Sequence, residues 1–221
     1  MDAALPRTVL IAGASGLVGR EILQGLLADD SVKAVHSLAR RELPLQHPKL
    51  TQHRVDFKAL STGLALPPVD EAYVALGTTI KVAGSQEAFR AVDFDAVVAV
   101  AKAARAAGAT RLGVVSAMGA SNRSSIFYNR VKGEMEETLG TLGFTTLVIA
   151  RPSFLAGDRE ALGQPSRGGE KLALQVSRWL APLIPENYGS VQANSVARGL
   201  LRGIRETAGR RVLLSGELRR A

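Results

Sequence analysis

The chain has 221 residues, 46% of them apolar and 22% charged, which suits one compact domain with a substantial buried core. It contains no cysteine, so disulfides, thiolate nucleophiles and cysteine-held metal clusters are excluded. Its three histidines, at 36, 47 and 53, match no catalytic zinc spacing, so no metal site is expected. The 28 basic residues outnumber the 20 acidic ones, a net +8 that permits attraction to a polyanion without naming one. Scattered basic residues and few aromatics argue against a nucleic-acid platform.

In chain order, the apolar run Thr8–Ala12 predicts a short buried strand bounded by Pro6-Arg7 and Gly13. Ile22, Leu23, Leu26 and Leu27 then recur at helical spacing over Glu21–Ala28, and Val32–Leu38 reads as a second strand. Residues 42–68 are irregular and carry prolines, with one edge strand expected at Gln52–Val55. Further strands are expected at Glu71–Leu76, Arg111–Ser116 and Thr145–Ala150. Between them lie an alanine-rich helix ending at Ala107 and a second helix over Ile126–Leu142. Residues 157–170 read as a loop or lid, Lys171–Leu180 and Asn194–Ile204 as helices, and Arg211–Leu214 as a last strand. The alternation predicts an α/β fold: a Rossmann-like, doubly wound, mostly parallel sheet with a small C-terminal elaboration on the substrate side. Nothing marks a second domain. Residues 1–221 are read as one unit, with 153–193 as the substrate-side loop and helix region.

Gly13-Ala14-Ser15-Gly16-Leu17-Val18-Gly19 joins the first strand to the first helix. Gly13 allows a sharp turn, Gly16 lets backbone N–H groups approach a pyrophosphate, and Gly19 allows the helix to pack closely. The helix N-terminus adds partial positive charge. A glycine triplet alone is weak, but between a strand and a periodic helix it indicates a dinucleotide site. After the second strand no acidic residue stands ready for an NAD ribose; Arg40 and Arg41 do. A guanidinium suits a 2′-phosphate, so NADP(H) is the expected cofactor, the alternative being an exposed basic turn. Asp56 and Phe57 are placed beside the adenine, or else in ordinary loop packing. Gly77, Thr78 and Thr79 end a strand where they would line the cofactor.

Tyr128 and Lys132 stand four residues apart, on one face of a helix. The pair suits carbonyl reduction: the phenol gives a proton to the developing alkoxide, while the ammonium favours phenolate and holds the nicotinamide ribose. Ser116, at the end of a strand, would orient the carbonyl oxygen, with Ser124 and Ser125 as competing hydroxyls.

These features resemble the short-chain dehydrogenase/reductase superfamily, in its atypical, extended-like members, and more closely its TIP30-like group of NADP-binding oxidoreductases. The resemblance runs over residues 8–215. Besides the glycine loop and Tyr128 with Lys132, it rests on Phe89-Arg90-Ala91-Val92-Asp93-Phe94, Arg111–Ser116, Val131-Lys132-Gly133-Glu134 and Arg151-Pro152. It implies an NADPH-binding oxidoreductase, monomeric or weakly dimeric. It also implies that Arg151 and Ser153 touch the nicotinamide side and that Phe154 lines that pocket. Two departures stand out. Relatives often show paired serines where this chain has Ser116-Ala117, and the short tail argues against a large nucleotide-sugar substrate. The expected function is hydride transfer between NADP(H) and a small carbonyl or alcohol. The alternative, since the group includes regulatory proteins, is an NADP(H)-binding sensor with a protein partner. Met1-Asp2-Ala3 begins no secretory signal and no apolar run reaches membrane-spanning length, so no membrane insertion and a cytoplasmic location are expected.

Overall fold

The computed structural model describes residues 6–58, 66–156 and 189–221. The expected loop at 157–170 and helix at 171–180 lie outside the described residues. Seven strands form one sheet: β1 (Arg7–Ala12), β2 (Val32–Ala39), β3 (Leu50–Arg54), β4 (Glu71–Val74), β5 (Arg111–Val115), β6 (Thr146–Arg151) and β9 (Gly209–Leu214). Their order is β3-β2-β1-β4-β5-β6-β9, and every neighbouring pair is parallel. The order reverses between β1 and β4, the switch point where doubly wound sheets bind ligands beyond the strands' carboxyl ends. A separate two-stranded parallel pair joins β7 (Leu155–Ala156) to β8 (Val191–Gln192).

A parallel sheet must be covered on both faces, which is why its strands read as continuous apolar runs rather than alternating ones. Val9 and Ile11 of β1 face one side, against Ile22, Leu23 and Leu26 of α1 (Leu17–Leu27) and Val196, Leu200 and Ile204 of α6 (Ala193–Glu206). Leu10 and Ala12 face the other, against Val97, Val100 and Ala104 of α4 (Val97–Ala106) and Met135 and Leu139 of α5 (Phe127–Gly140). At the amino ends of the strands the buried Glu71 accepts from Arg7 at 3.1 Å and from Arg111 at 3.5 Å, tying three neighbouring strands together.

The predicted strands and helices that fall on described residues are present with shifted ends. The first helix begins four residues earlier than its apolar spacing suggests, directly after Gly16. The alanine-rich helix is not uniform: α3 (Gln86–Arg90) passes through a π-helical stretch, Ala91–Ala96, before α4. Short helices α2 (Ile80–Ala83) and α7 (Ser215–Arg219) have too few residues for a periodic signal.

Candidate functional site

Register brings the predicted segments to one edge. Ala12 of β1 lies opposite Leu38 of β2 and Val74 of β4, Val74 opposite Val114, and Val115 opposite Ala150. The glycine loop, Arg40, Gly77–Thr79, Ser116 and Arg151 therefore leave the sheet at its carboxyl edge, around the switch point.

The glycine loop has the shape a dinucleotide requires. Gly13 sits at φ +92°, and a Cβ there would come within 2.5 Å of the Ala75 carbonyl oxygen. A Cβ on Gly19 would collide with the Gly13 carbonyl, so α1 crosses the loop backbone in direct contact. Gly16 is different: its Cβ would meet only the Gly13 oxygen, at 3.4 Å, so the loop is open on that side. Gly16 is extended and no side chain caps α1, which leaves the first-turn N–H groups of Leu17 and Val18 to an anion. Ser15 is exposed on the same loop.

The predicted tyrosine–lysine pair lies on α5, after β5. Tyr128, Lys132 and Glu136 follow one another at intervals of four along one face of α5. Lys132 is buried, and its Nζ ion-pairs with the equally buried Asp93 Oδ1 at 2.8 Å. Asp93 belongs to the π-helical stretch, and its other oxygen accepts the Thr78 N–H at 2.8 Å. One carboxylate thus joins Lys132 to the loop after β4. A Cβ on Gly77 would lie 3.4 Å from Asp93 Oδ1 and 3.9 Å from Lys132 Nζ, so the backbone after β4 runs directly beside the pair. Burial works against the ammonium, but the charges of Asp93, Tyr128 and Glu136 outweigh it and raise the Lys132 pKa above the ordinary lysine value. Lys132 is held charged. Tyr128 is half-buried, its ring 5.3 Å from that of Phe89, which also meets Phe127 edge-on.

Ser116 is buried and donates its hydroxyl hydrogen to Glu136 Oε1 at 2.5 Å. Arg151 grips the same carboxylate with Nε at 2.9 Å and Nη2 at 2.6 Å, and Arg210 approaches at 3.4 Å. These contacts fasten α5 to the ends of β5 and β6. They turn Ser116 and Arg151 toward Glu136, whereas their predicted roles face the carbonyl and the nicotinamide. Ser153 donates to the Gly189 carbonyl at 2.6 Å, joining the turn after β6 to the chain before β8. Arg40, Arg41 and Asp56 are exposed beyond β2 and β3, while Phe57 packs partly on the core. Asp93 and Glu136 were not singled out from the chain. An acid inside an alanine- and valine-rich helix was a signal for Asp93. Glu136 is one of three glutamates in four residues, and nothing distinguishes it.

This sheet order, with a glycine loop leading into α1, defines a dinucleotide-binding Rossmann protein. The NAD(P)H-binding family model matches residues 13–179. The chain is 33% identical to Protein HTATIP2 of Rattus norvegicus over 205 residues, covering 90% of this chain and 81% of that one. It is 36% identical to the mitochondrial protein fmp52 of Emericella nidulans, covering 69% and 68%. Among solved structures, Bordetella bronchiseptica WbmH in complex with NAD+ shares the fold with a TM-score of 0.69 at 17% identity, over 95% of this chain and 76% of that one. MoeE5 in complex with UDP-glucose and NAD gives 0.67 at 18%, over 93% and 75%. The chain belongs to the NAD(P)H-binding family, as an atypical, TIP30-like member of the short-chain dehydrogenase/reductase superfamily. It is an NAD(P)-binding oxidoreductase-like protein. The expected cytoplasmic location is overturned: the FMP52 relatives are named mitochondrial proteins. Among the described residues no helix is long and apolar enough to cross a membrane.

Proposed function

We propose that the protein is an NADP(H)-dependent reductase or dehydrogenase acting on a small carbonyl or alcohol, with Tyr128 as the proton donor. The observation that carries this reading is the buried Lys132, kept charged by Asp93 and placed one helical turn from Tyr128. When bound along Gly13–Gly19, with Gly77, Thr78 and Thr79 on its other side, NADP(H) supplies the hydride. Arg40 pairs with the 2′-phosphate, and Asp56 and Phe57 flank the adenine. The Lys132 ammonium holds the ribose and stabilises the Tyr128 phenolate left when the phenol proton moves to the substrate oxygen. Asp93 keeps that ammonium charged in a site too dry to solvate it, and through Thr78 fixes the β4 loop against it. Ser116 and Arg151 act through Glu136 by holding α5 in place, so the Tyr128 phenol, rather than the Ser116 hydroxyl, meets the carbonyl. Ser153 lies at the nicotinamide end.

The test is NADPH oxidation against a panel of aldehydes and ketones, with NADH as the paired cofactor. Carbonyl-dependent oxidation that prefers NADPH is the expected result, and Arg40→Ala should weaken NADPH at least about tenfold while leaving NADH within about twofold. NADPH binding with no carbonyl turned over, or an unchanged cofactor preference in Arg40→Ala, would contradict the respective assignment.

A further inference from the structure

Soluble proteins leave large apolar side chains exposed singly, and a concentration of them at one place marks a binding surface. Among the described residues four are exposed: Leu45 at 38%, Val82 at 62%, Ile126 at 60% and Phe154 at 69%. Leu45 lies between β2 and β3. The other three sit in the segments that follow the carboxyl ends of β4, β5 and β6, the edge that carries Tyr128 and Lys132.

Chain position and the packing of neighbouring segments place the three around Tyr128. The tyrosine ring packs 5.3 Å from Phe89 of α3, and α3 packs on α2, which carries Val82. Ile126 is the residue before α5, two positions ahead of Tyr128. On the other side the Met118 N–H donates to the Pro152 carbonyl at 3.0 Å, drawing the chain after β5 to the turn that presents Phe154. Charged groups on these segments include Lys81, Glu87 and Arg123, all exposed, the Arg90–Glu134 ion pair at 2.5 Å, and Arg130. The Arg130 guanidinium donates to the Ser124 and Ser125 carbonyls at 2.9 and 3.3 Å and lies over the Phe127 ring.

Resting on the reductase reading above, we propose that Val82, Ile126 and Phe154 form the rim of the substrate site and that the substrate is a carbonyl compound with an extended apolar body. The carbonyl meets Tyr128, and the hydrocarbon lies along the rim. A sugar nucleotide would leave these side chains against hydroxyls and phosphates, with Lys81 and Arg123 its only unengaged cations among those named.

The test uses the full chain with NADPH and a series of methyl ketones from 2-butanone to 2-decanone, and with NADP+ and UDP-glucose as the polar probe, whose hydroxyls can give up a hydride but whose sugar has no carbonyl to accept one. kcat/KM should rise about fourfold per methylene that the rim covers, with no turnover of UDP-glucose. Phe154→Ser and Ile126→Ser should each flatten that rise. Turnover of the ketones without chain-length dependence, or turnover of UDP-glucose in preference to them, overturns the apolar class and leaves the reductase reading standing. If no ketone turns over, binding to the NADP+-loaded Tyr128→Phe variant by calorimetry separates the two claims. Affinity that still grows with chain length supports the rim and refutes the reductase; flat or absent binding refutes both. An undiminished rise in Phe154→Ser together with a lowered Tm assigns the patch to internal packing and overturns the proposal.

Discussion

Removing the carboxylate of Asp93 tests the centre of the site. Asp93 and Lys132 have side chains 1% and 4% exposed, so Asp93→Ala strands an ammonium where water cannot solvate it. Breaking a buried pair from one side costs about 3–5 kcal/mol. The lost acceptor for the Thr78 N–H belongs to the same carboxylate and is not a separate sum. For a chain of this size each kcal/mol lowers Tm by about 2–4 °C, so the expected drop is about 6–20 °C. The pH dependence changes sign as well. In the native protein the folded-state pKa of Lys132 is raised, so the group's contribution is present below the unfolded lysine value and lost as pH rises through the folded one. Without Asp93 burial prevails, the folded-state pKa falls below the unfolded one, and the same group makes the variant more stable as pH rises. Thermal unfolding at pH 7 and across pH 8.5–10.5 reads both effects. A Tm within 2 °C of the native protein and an unchanged alkaline slope would refute the reasoning.

The other expectations concern the loop, the helix anchor and the histidines. Gly16→Ala should fold normally and lose NADPH affinity about tenfold or more, since its Cβ points into the open side of the loop; Gly19→Ala should fail to fold, as read by expression and unfolding. Glu136→Ala should cost about 3–5 kcal/mol, because the partly buried Arg151 loses its carboxylate and Ser116 its acceptor; denaturant unfolding checks this. His36 and His53 meet at 3.0 Å on adjacent strands, and burial lowers both pKa values, His36 further through His53. Depressed folded-state values mean that stability is full above the unfolded histidine pKa, about 6.5, and declines as pH falls below it. His53→Gln should raise the His36 pKa, measurable by NMR titration.

The order of strands and helices, the glycine loop and the Tyr128–Lys132 pair were legible along the chain because each depends on local spacing. Helix boundaries were less so: α1 starts at Leu17, directly after the extended Gly16, where backbone geometry rather than apolar periodicity decides. Of the two acids that hold the site, Asp93 is marked only as an acid inside an apolar helix, and Glu136 is not marked at all. Asp93 reaches Lys132 from a π-helical stretch, which shifts the phase that a 3.6-residue reading assumes. The Ser116 orientation depends on Glu136, twenty residues away, and on Arg151 from another strand. Such convergence is set by tertiary register and leaves no mark in either segment.

The most direct measurement is carbonyl-dependent NADPH oxidation by Tyr128→Phe, with NADPH affinity determined on the same protein. The proton-donor role predicts kcat reduced by at least about 10²-fold and an NADPH Kd within about twofold of the native value. Turnover equal to that of the native protein would contradict it.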